Sequence, residues 1–309
     1  MVENFRRAPL EYPLHFSGRA ALPSLDAHTT SQLLRDAPIG VFDSGVGGLT
    51  VLRALEAALP CERFIYLGDT ARLPYGTKSP GTVQRYAVQA AHALVERGVK
   101  ALVIACNTAS AVALDALRQA YRPLPVFGVV EPGAEAACRV SRRGRIAVIA
   151  TESTVRGGAY QRAILSRRPD ARVLARPCPL LVTLAEEGWI SGDVPERVVD
   201  AYLGAWLRED ARPDCLLLGC THFPILAPLI EHAGGRGLTL VDSAETTAAA
   251  VSIALVAAGL TSGRTAFETA AAVGRRHLLA TDGRERFARV GRHFLGETLT
   301  ADSVELVDL

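Results

Sequence analysis

The chain is 309 residues long, 49% apolar and 21% charged, so it can bury more than one core and falls in the ordinary globular class. Its 34 basic and 32 acidic side chains leave a net charge of +2 without a basic cluster, which argues against a nucleic-acid partner. The longest apolar stretch, Ala248 to Leu260, is broken by Ser252 and is too short to span a bilayer; it is expected to be a buried, Ala-rich helix, with no membrane association.

Residues 1–36 mix Arg, Pro, Ser, Asp and His without apolar periodicity, and no apolar run follows Arg6 and Arg7 to make a secretory signal. Residues 1–37 are therefore expected to be an N-terminal extension, a tail or loosely docked arm outside the main fold, with disorder allowed. From Pro38 onward short apolar runs alternate with helical segments. The runs are Ile39 to Phe42, Arg63 to Leu67, Ala101 to Ala105, Val126 to Val130, Ile146 to Ala150, Arg172 to Ala175, Cys215 to Leu218 and Leu238 to Val241. Amphipathic stretches such as Ser79 to Arg97 and Val194 to Arg208 lie between them. Continuous apolar strands alternating with helices predict an α/β fold with mostly parallel sheets covered on both faces.

Several of these strands end in small polar sequences: Asp43-Ser44-Gly45, Cys106-Asn107-Thr108, Thr151-Glu152-Ser153-Thr154 and Cys220-Thr221-His222. In open α/β sheets the ligand crevice lies beyond the carboxyl ends of the strands, so these are site candidates. The strand-plus-cysteine unit occurs twice, ending at Cys106 and Cys220, which suggests two related halves that each give one thiol to a shared cleft.

Six cysteines spread through a core-rich chain look cytoplasmic and reduced rather than disulfide-linked. Cys138, Cys178 and Cys215 read as small buried hydrophobes. Cys106 and Cys220 differ in being followed at once by hydrogen-bonding residues, and amides at a strand-to-helix turn are expected to hold a carboxylate and lower a thiol pKa. No C-x-x-C pair exists and Cys215 with Cys220 has the wrong spacing for zinc, so no metal site is expected. A thiol titrates near ~8.5, so modest tuning would give one thiolate and one thiol at neutral pH. On opposite faces of a carbon acid, that pair inverts a stereocentre without a cofactor. A Cys220–His222 dyad for acyl transfer ranks lower, because residues two apart seldom have dyad geometry.

Two further segments carry candidates. Asp43-Ser-Gly-Val-Gly-Gly48 could be a dinucleotide loop, but Thr50 stands where the third glycine of that motif would fall. A turn presenting Asp43 and Ser44 to a cationic amine is the better reading, with a plain Asx-turn as the alternative. Gly68 to Lys78 is a Pro/Gly-rich loop in which Tyr75 and the Gly76 amide could donate to a carboxylate. Only Lys78 and Lys100 are available as a Schiff-base lysine, so pyridoxal phosphate is not expected.

Taken together these segments resemble the glutamate racemase family. The matching stretches are Ile39-Gly-Val-Phe-Asp43-Ser-Gly-Val-Gly-Gly, Leu67-Gly-Asp-Thr-Ala-Arg-Leu-Pro-Tyr75-Gly, Ala105-Cys106-Asn-Thr-Ala-Ser, Cys178-Pro through Glu186, Gly219-Cys220-Thr-His-Phe-Pro and Val241-Asp-Ser. They run in family order over about residues 38 to 309. The resemblance implies two similar α/β domains with the active site in the cleft between them. The first domain would be discontinuous, residues 38–130 plus 241–309, and the second would be 131–240. It further implies racemisation of glutamate for peptidoglycan, with Cys106 acting on the D-enantiomer and Cys220 on the L-enantiomer. Asp43, Glu186 and His222 would assist the thiols. Asp43, Ser44, Tyr75, Gly76, Asn107, Thr108, Thr154, Thr221 and His222 would bind substrate, with no cofactor and no metal. The only expected partner is the small-molecule substrate, and a homodimer is left open. Leu73, Gly157 and Phe223 depart from the family's usual residues, Gly157 in the segment that carries Thr154. The rival readings are a racemase of aspartate or another amino acid, and a binding or inhibitory module without turnover; intact Cys106 and Cys220 argue against the second.

Overall fold

The computed structural model describes residues 27–208, 212–265, 268 and 275–309. Strands β1 (Ile39–Asp43), β2 (Phe64–Gly68), β3 (Ala101–Ile104), β4 (Val126–Gly128), β9 (Arg276–Ala280) and β10 (Val304–Leu306) form a six-stranded sheet in the order β10-β9-β2-β1-β3-β4. Strands β5 (Arg145–Ala150), β6 (Arg172–Pro177), β7 (Cys215–Gly219) and β8 (Thr239–Asp242) form a second sheet in the order β6-β5-β7-β8. Neighbouring strands pair in parallel throughout both sheets. The first four strands of each lobe take the same spatial order, second-first-third-fourth, so the twin strand-plus-cysteine units stand on equivalent third strands. Strands β9 and β10 extend the first sheet beyond β2.

Twelve helices are described among these residues: α1 (Ala27–Asp36), α2 (Leu49–Ala58), α3 (Pro80–Val95), α4 (Asn107–Ala120), α5 (Val130–Val140), α6 (Glu152–Gly157), α7 (Ala159–Arg167), α8 (Pro179–Glu186), α9 (Asp193–Arg208), α10 (Ala227–Gly234), α11 (Ser243–Ala257) and α12 (Arg284–Leu295). Their apolar faces cover both sides of each sheet. One buried cluster runs from β1 and α2 through α8, β7 and α11, so the two lobes share a continuous core. The opposite face of the first sheet packs on α3 and α4, and that of the second on α5 and α7. Because β1, β2, β3 and β7 are buried along their whole length, they read in sequence as unbroken apolar runs rather than alternating ones. No helix among the described residues is long and apolar enough to cross a membrane.

One expectation needs correction here. The helix read over Ala248 to Leu260 is α11, capped at its start by the Asp242 carboxylate accepting from the Ala244 amide at 2.6 Å. It is not buried all round: Ile253 and Val256 are 71% and 65% exposed, because only one side of α11 packs on α2 and α5. The expected N-terminal extension is described only in part. Residues 1–26 lie outside the described residues, but 27–36 are helix α1, tied to the first lobe at its carboxyl end. Asp36 accepts from the Ser262 hydroxyl at 2.8 Å, its carbonyl from Arg63 at 2.8 Å, and the Arg35 carbonyl accepts from the Lys100 ammonium.

Lys100 is buried and paired with the buried Glu62, whose other oxygen accepts from the Ser262 amide at 2.8 Å. Burial pulls the Lys100 pKa down, while the bond to Glu62 acts in the opposite sense. Removing one partner strands the other's charge in the core. Lys100→Met is therefore expected to cost about 3–5 kcal/mol in urea unfolding, with much of it recovered when Glu62→Leu is added. A single-mutant loss below about 1 kcal/mol would place the pair among surface-like salt bridges.

Candidate active site

The carboxyl ends of β1, β3, β5 and β7 meet at a cavity of about 250 Å³ between the lobes. The first lobe contributes Ser44 after β1, Cys106, Asn107 and Thr108 after β3, and the loop Pro74, Tyr75, Gly76 and Thr77 after β2. The second contributes Thr151 and Glu152 after β5, Pro179, Val182 and Thr183 from α8, and Cys220, Thr221 and His222 after β7. The two sulfurs thus enter one cavity from opposite sheets, near enough for a charge on Cys220 to act on Cys106.

Each thiol has its own surroundings. Cys106 caps helix α4: its sulfur accepts from the Ala109 amide at 3.5 Å and its S–H faces the Ser44 hydroxyl at 3.6 Å. Burial and the charge of Asp43 nevertheless push its pKa up, to about 12, against those two hydrogen bonds. The expectation that the turn amides would lower this thiol is corrected: they act in that sense, but desolvation by burial wins and Cys106 is a thiol. Cys220 faces the His222 imidazole, Sγ to Nδ1 3.7 Å, while His222 Nε2 meets the Glu186 carboxylate at 3.2 Å. The Arg286 guanidinium holds the other Glu186 oxygen at 2.7 Å. Burial works against a charge on His222, but the bonds and charges of Cys220 and Glu186 outweigh it and push its pKa up to about 10. An imidazolium there stabilises negative charge on the neighbouring sulfur. The geometric objection to a Cys220–His222 pair therefore does not hold, since the sulfur and the ring nitrogen are in contact just before the 3₁₀ turn that begins at Phe223.

The ring of His222 is set by the first lobe. Phe294 of α12 meets it edge-on at 5.1 Å, and a Cβ on Gly47 would lie 2.5 Å from its Nδ1 and from Thr221 Oγ1. The Thr50 hydroxyl bonds the Thr221 carbonyl at 3.0 Å, so the Asp43–Gly48 turn and the Cys220 turn are joined across the lobes. Thr50, which breaks the dinucleotide pattern, is thus a cross-lobe tie. Gly47→Ala is expected to displace His222 and lower turnover on the order of 10²-fold without unfolding the chain. Wild-type turnover in that variant would mean the ring can shift without consequence.

The cavity brings together Ser44, Tyr75, Gly76, Cys106, Asn107, Thr108, Cys220, Thr221 and His222, all read from sequence. Three other candidates stand behind it. Asp43 is fully buried; its Oδ2 accepts from the Gly45 amide at 3.1 Å, the Asx-turn of the alternative reading, while its Oδ1 has no partner. Burial raises its pKa, against the pull of His222. Thr154 does not line the cavity; its hydroxyl bonds those of Thr108 and Thr151 at 3.2 and 3.0 Å, and Thr151 takes the lining position. Glu186 reaches the cavity only through His222. Tyr75 also departs from expectation, because its hydroxyl is committed to the buried Asp69 and is not free for a carboxylate. Neither Lys78 nor Lys100 lines the cavity. Among the described residues no group of three or more His, Cys, Asp or Glu is placed to hold a metal ion, and no disulfide joins any of the six cysteines.

Sequence reasoning named Thr151 only as part of the strand-end segment Thr151–Thr154, and missed Val182 and Thr183 as lining residues. Thr151 closes β5 as Ser44 follows β1, so the twofold repeat of strand ends was a usable signal. Val182 and Thr183 lie on α8 and carried none.

Residues 39–251 match the profile described as Asp/Glu/Hydantoin racemase. A glutamate racemase of Geobacter metallireducens is 50% identical over 261 residues, covering 84% of this chain and 93% of that protein. Among solved structures, a glutamate racemase from Thermus thermophilus in complex with beta-chloro-D-alanine is 44% identical with a TM-score of 0.77, and one from Francisella tularensis in complex with D-glutamate is 35% identical with a TM-score of 0.79. Each covers 89% of this chain and 98% of its own. A cavity with one thiol from each of two twinned α/β lobes, on a chain this similar over most of its length, belongs to the glutamate racemase family.

Proposed function

We propose that this chain interconverts L- and D-glutamate by proton transfer between two cysteines, without a cofactor. The observation that carries the reading is the entry of Cys106 and Cys220 into one small cavity from opposite sheets. In the L-to-D direction the Cys220 thiolate takes the Cα proton, leaving a thiol and a carbanion. The Cys106 thiol gives its proton to the opposite face, leaving D-glutamate and a Cys106 thiolate. Solvent exchange restores the pair. The high pKa of Cys106 suits the acid, and the His222 imidazolium suits the base. Reversal exchanges the two roles.

Glu186 orients and charges His222, and Asp43, behind Cys106, acts on that thiol through space. Ser44, Asn107, Thr108 and Thr221, with the backbone of Tyr75–Gly76 and His222, supply the polar lining for the substrate's carboxylates and ammonium; Thr154 and Asp43 support that lining from behind. Residues 38–130 with 241–309 are read as one domain and 131–240 as the other, which follows the two sheets except that β8 straddles the second boundary. A cytoplasmic enzyme supplying D-glutamate to peptidoglycan synthesis, with a homodimer left open, completes the reading. The test is a coupled assay for D-glutamate formed from L-glutamate with no added cofactor. Turnover of aspartate in preference to glutamate would replace the substrate with that of the rival reading.

A further inference from the structure

Tyr160 stands near the start of α7, just after the left-handed Gly158 that separates α6 from α7 (φ +65°). Its ring is fully buried in the core of the second lobe with Ile146, Val148 and Leu217. Two glycines make the slot. A Cβ on Gly219 would come within 3.0 Å of the ring, and one on Gly133 of α5 within 3.4 Å. Gly219 is the residue immediately before Cys220. At the other end of the side chain, the Tyr160 hydroxyl accepts a hydrogen bond from Asn107 Nδ2 at 2.7 Å. Asn107 is the residue immediately after Cys106, and its amide also approaches the Ser243 hydroxyl at 3.5 Å, where the chain enters α11. Tyr160 lines no part of the cavity, and burial keeps its hydroxyl protonated.

One side chain therefore backs the turn that carries one thiol and bonds the turn that carries the other, across the lobes. We propose that Tyr160 is a positioning residue that fixes the separation of the Cys106 and Cys220 turns, its ring locating the second and its hydroxyl the first through Asn107. The inference rests on the two-thiol reading of the site. Loss of the hydroxyl leaves each thiol chemically intact but loosens their opposition. A base could still remove the Cα proton while its partner is late in delivering one to the other face.

The test is Tyr160→Phe, which keeps the ring in its slot and removes the bond to Asn107. Both proteins are given L-glutamate in heavy water, and deuterium at Cα is followed by mass spectrometry in product and in unreacted substrate at early times. The variant is expected to lose roughly 10- to 100-fold in kcat, as for a misplacement of reacting groups, with KM little changed. The ratio of deuterium in substrate to deuterium in product should rise several-fold over wild type. That ratio is a property of the molecules that turn over, so partial unfolding would lower total activity without moving it. A variant with wild-type ratio overturns the positioning role and makes Tyr160 a core residue only. If wild type itself carries deuterium into substrate as fast as into product, the two-thiol reading fails and the inference falls with it.

Discussion

Cys106→Ala and Cys220→Ala are each expected to lose roughly 10⁴-fold in racemisation, the upper end of what one acid–base group supplies. Inversion needs a donor on one face and an acceptor on the other, and each lobe gives the cavity one thiol. The enantiomers have equal free energies, so kcat/KM must fall by the same factor in both directions whichever cysteine is removed. Cys138→Ala and Cys215→Ala provide the contrast: Cys138 packs at the edge of the second lobe's core and Cys215 starts β7 within it, both away from the cavity. Those variants should show changes in unfolding only. Substantial turnover by either cavity mutant, measured by circular dichroism of glutamate, would remove that thiol from the chemistry.

His222→Asn is expected to reduce turnover on the order of 10²-fold or more, because it removes the charge beside Cys220 and disconnects Glu186. The same variant carries a pH signature in stability. The pKa of His222 stands at about 10 in the folded chain, above its ordinary 6.5. A group raised on folding contributes stability in full below its unfolded pKa and loses it as pH climbs through the folded value. The Tm difference between wild type and His222→Asn should accordingly be largest near pH 6 and shrink steadily toward pH 10. A difference that grows with pH would mean His222 is held neutral, and the proposed imidazolium would go with it.

The parts of this molecule legible in sequence were those that physics leaves little choice about. Strands buried on both faces must be apolar throughout, so β1, β2, β3 and β7 were found to within a residue or so. The equivalent third strands of the two lobes are each an apolar run ending at a cysteine and a polar turn, and that repeat predicted the shared cleft. Strands β9 and β10 were missed: β9 opens with Arg276 and His277, and β10 is three residues with Glu305 in the middle. Both depend on a sheet edge already in place rather than on any pattern of their own. The exposed face of α11 was missed for a related reason, since Ile253 and Val256 obey no amphipathic period.

Within the site, residue type foretold which strand ends mattered but not which atoms face the cavity. Asp43, Thr154 and Glu186 have the right chemistry and stand one layer back: one Asp43 oxygen is bound by the Gly45 amide, the Thr154 hydroxyl by Thr108 and Thr151, and the Glu186 carboxylate by His222 and Arg286. The thiol pKa expectation for Cys106 failed on magnitude. A hydrogen bond from Ala109 and a contact with Ser44 favour the thiolate, but complete burial beside Asp43 costs more, and no sequence pattern reports that balance.

The two-thiol mechanism is tested most directly by the fate of the Cα hydrogen. With one sulfur on each face, the proton taken from substrate stays on its own cysteine while the other cysteine delivers one that came from solvent. L-glutamate turned over in heavy water should therefore give D-glutamate carrying deuterium at Cα, while the remaining L-glutamate stays protiated at early times. D-glutamate as substrate should show the same pattern in reverse. Product that keeps its original Cα hydrogen, or substrate that gains deuterium as fast as product, would contradict opposed Cys106 and Cys220.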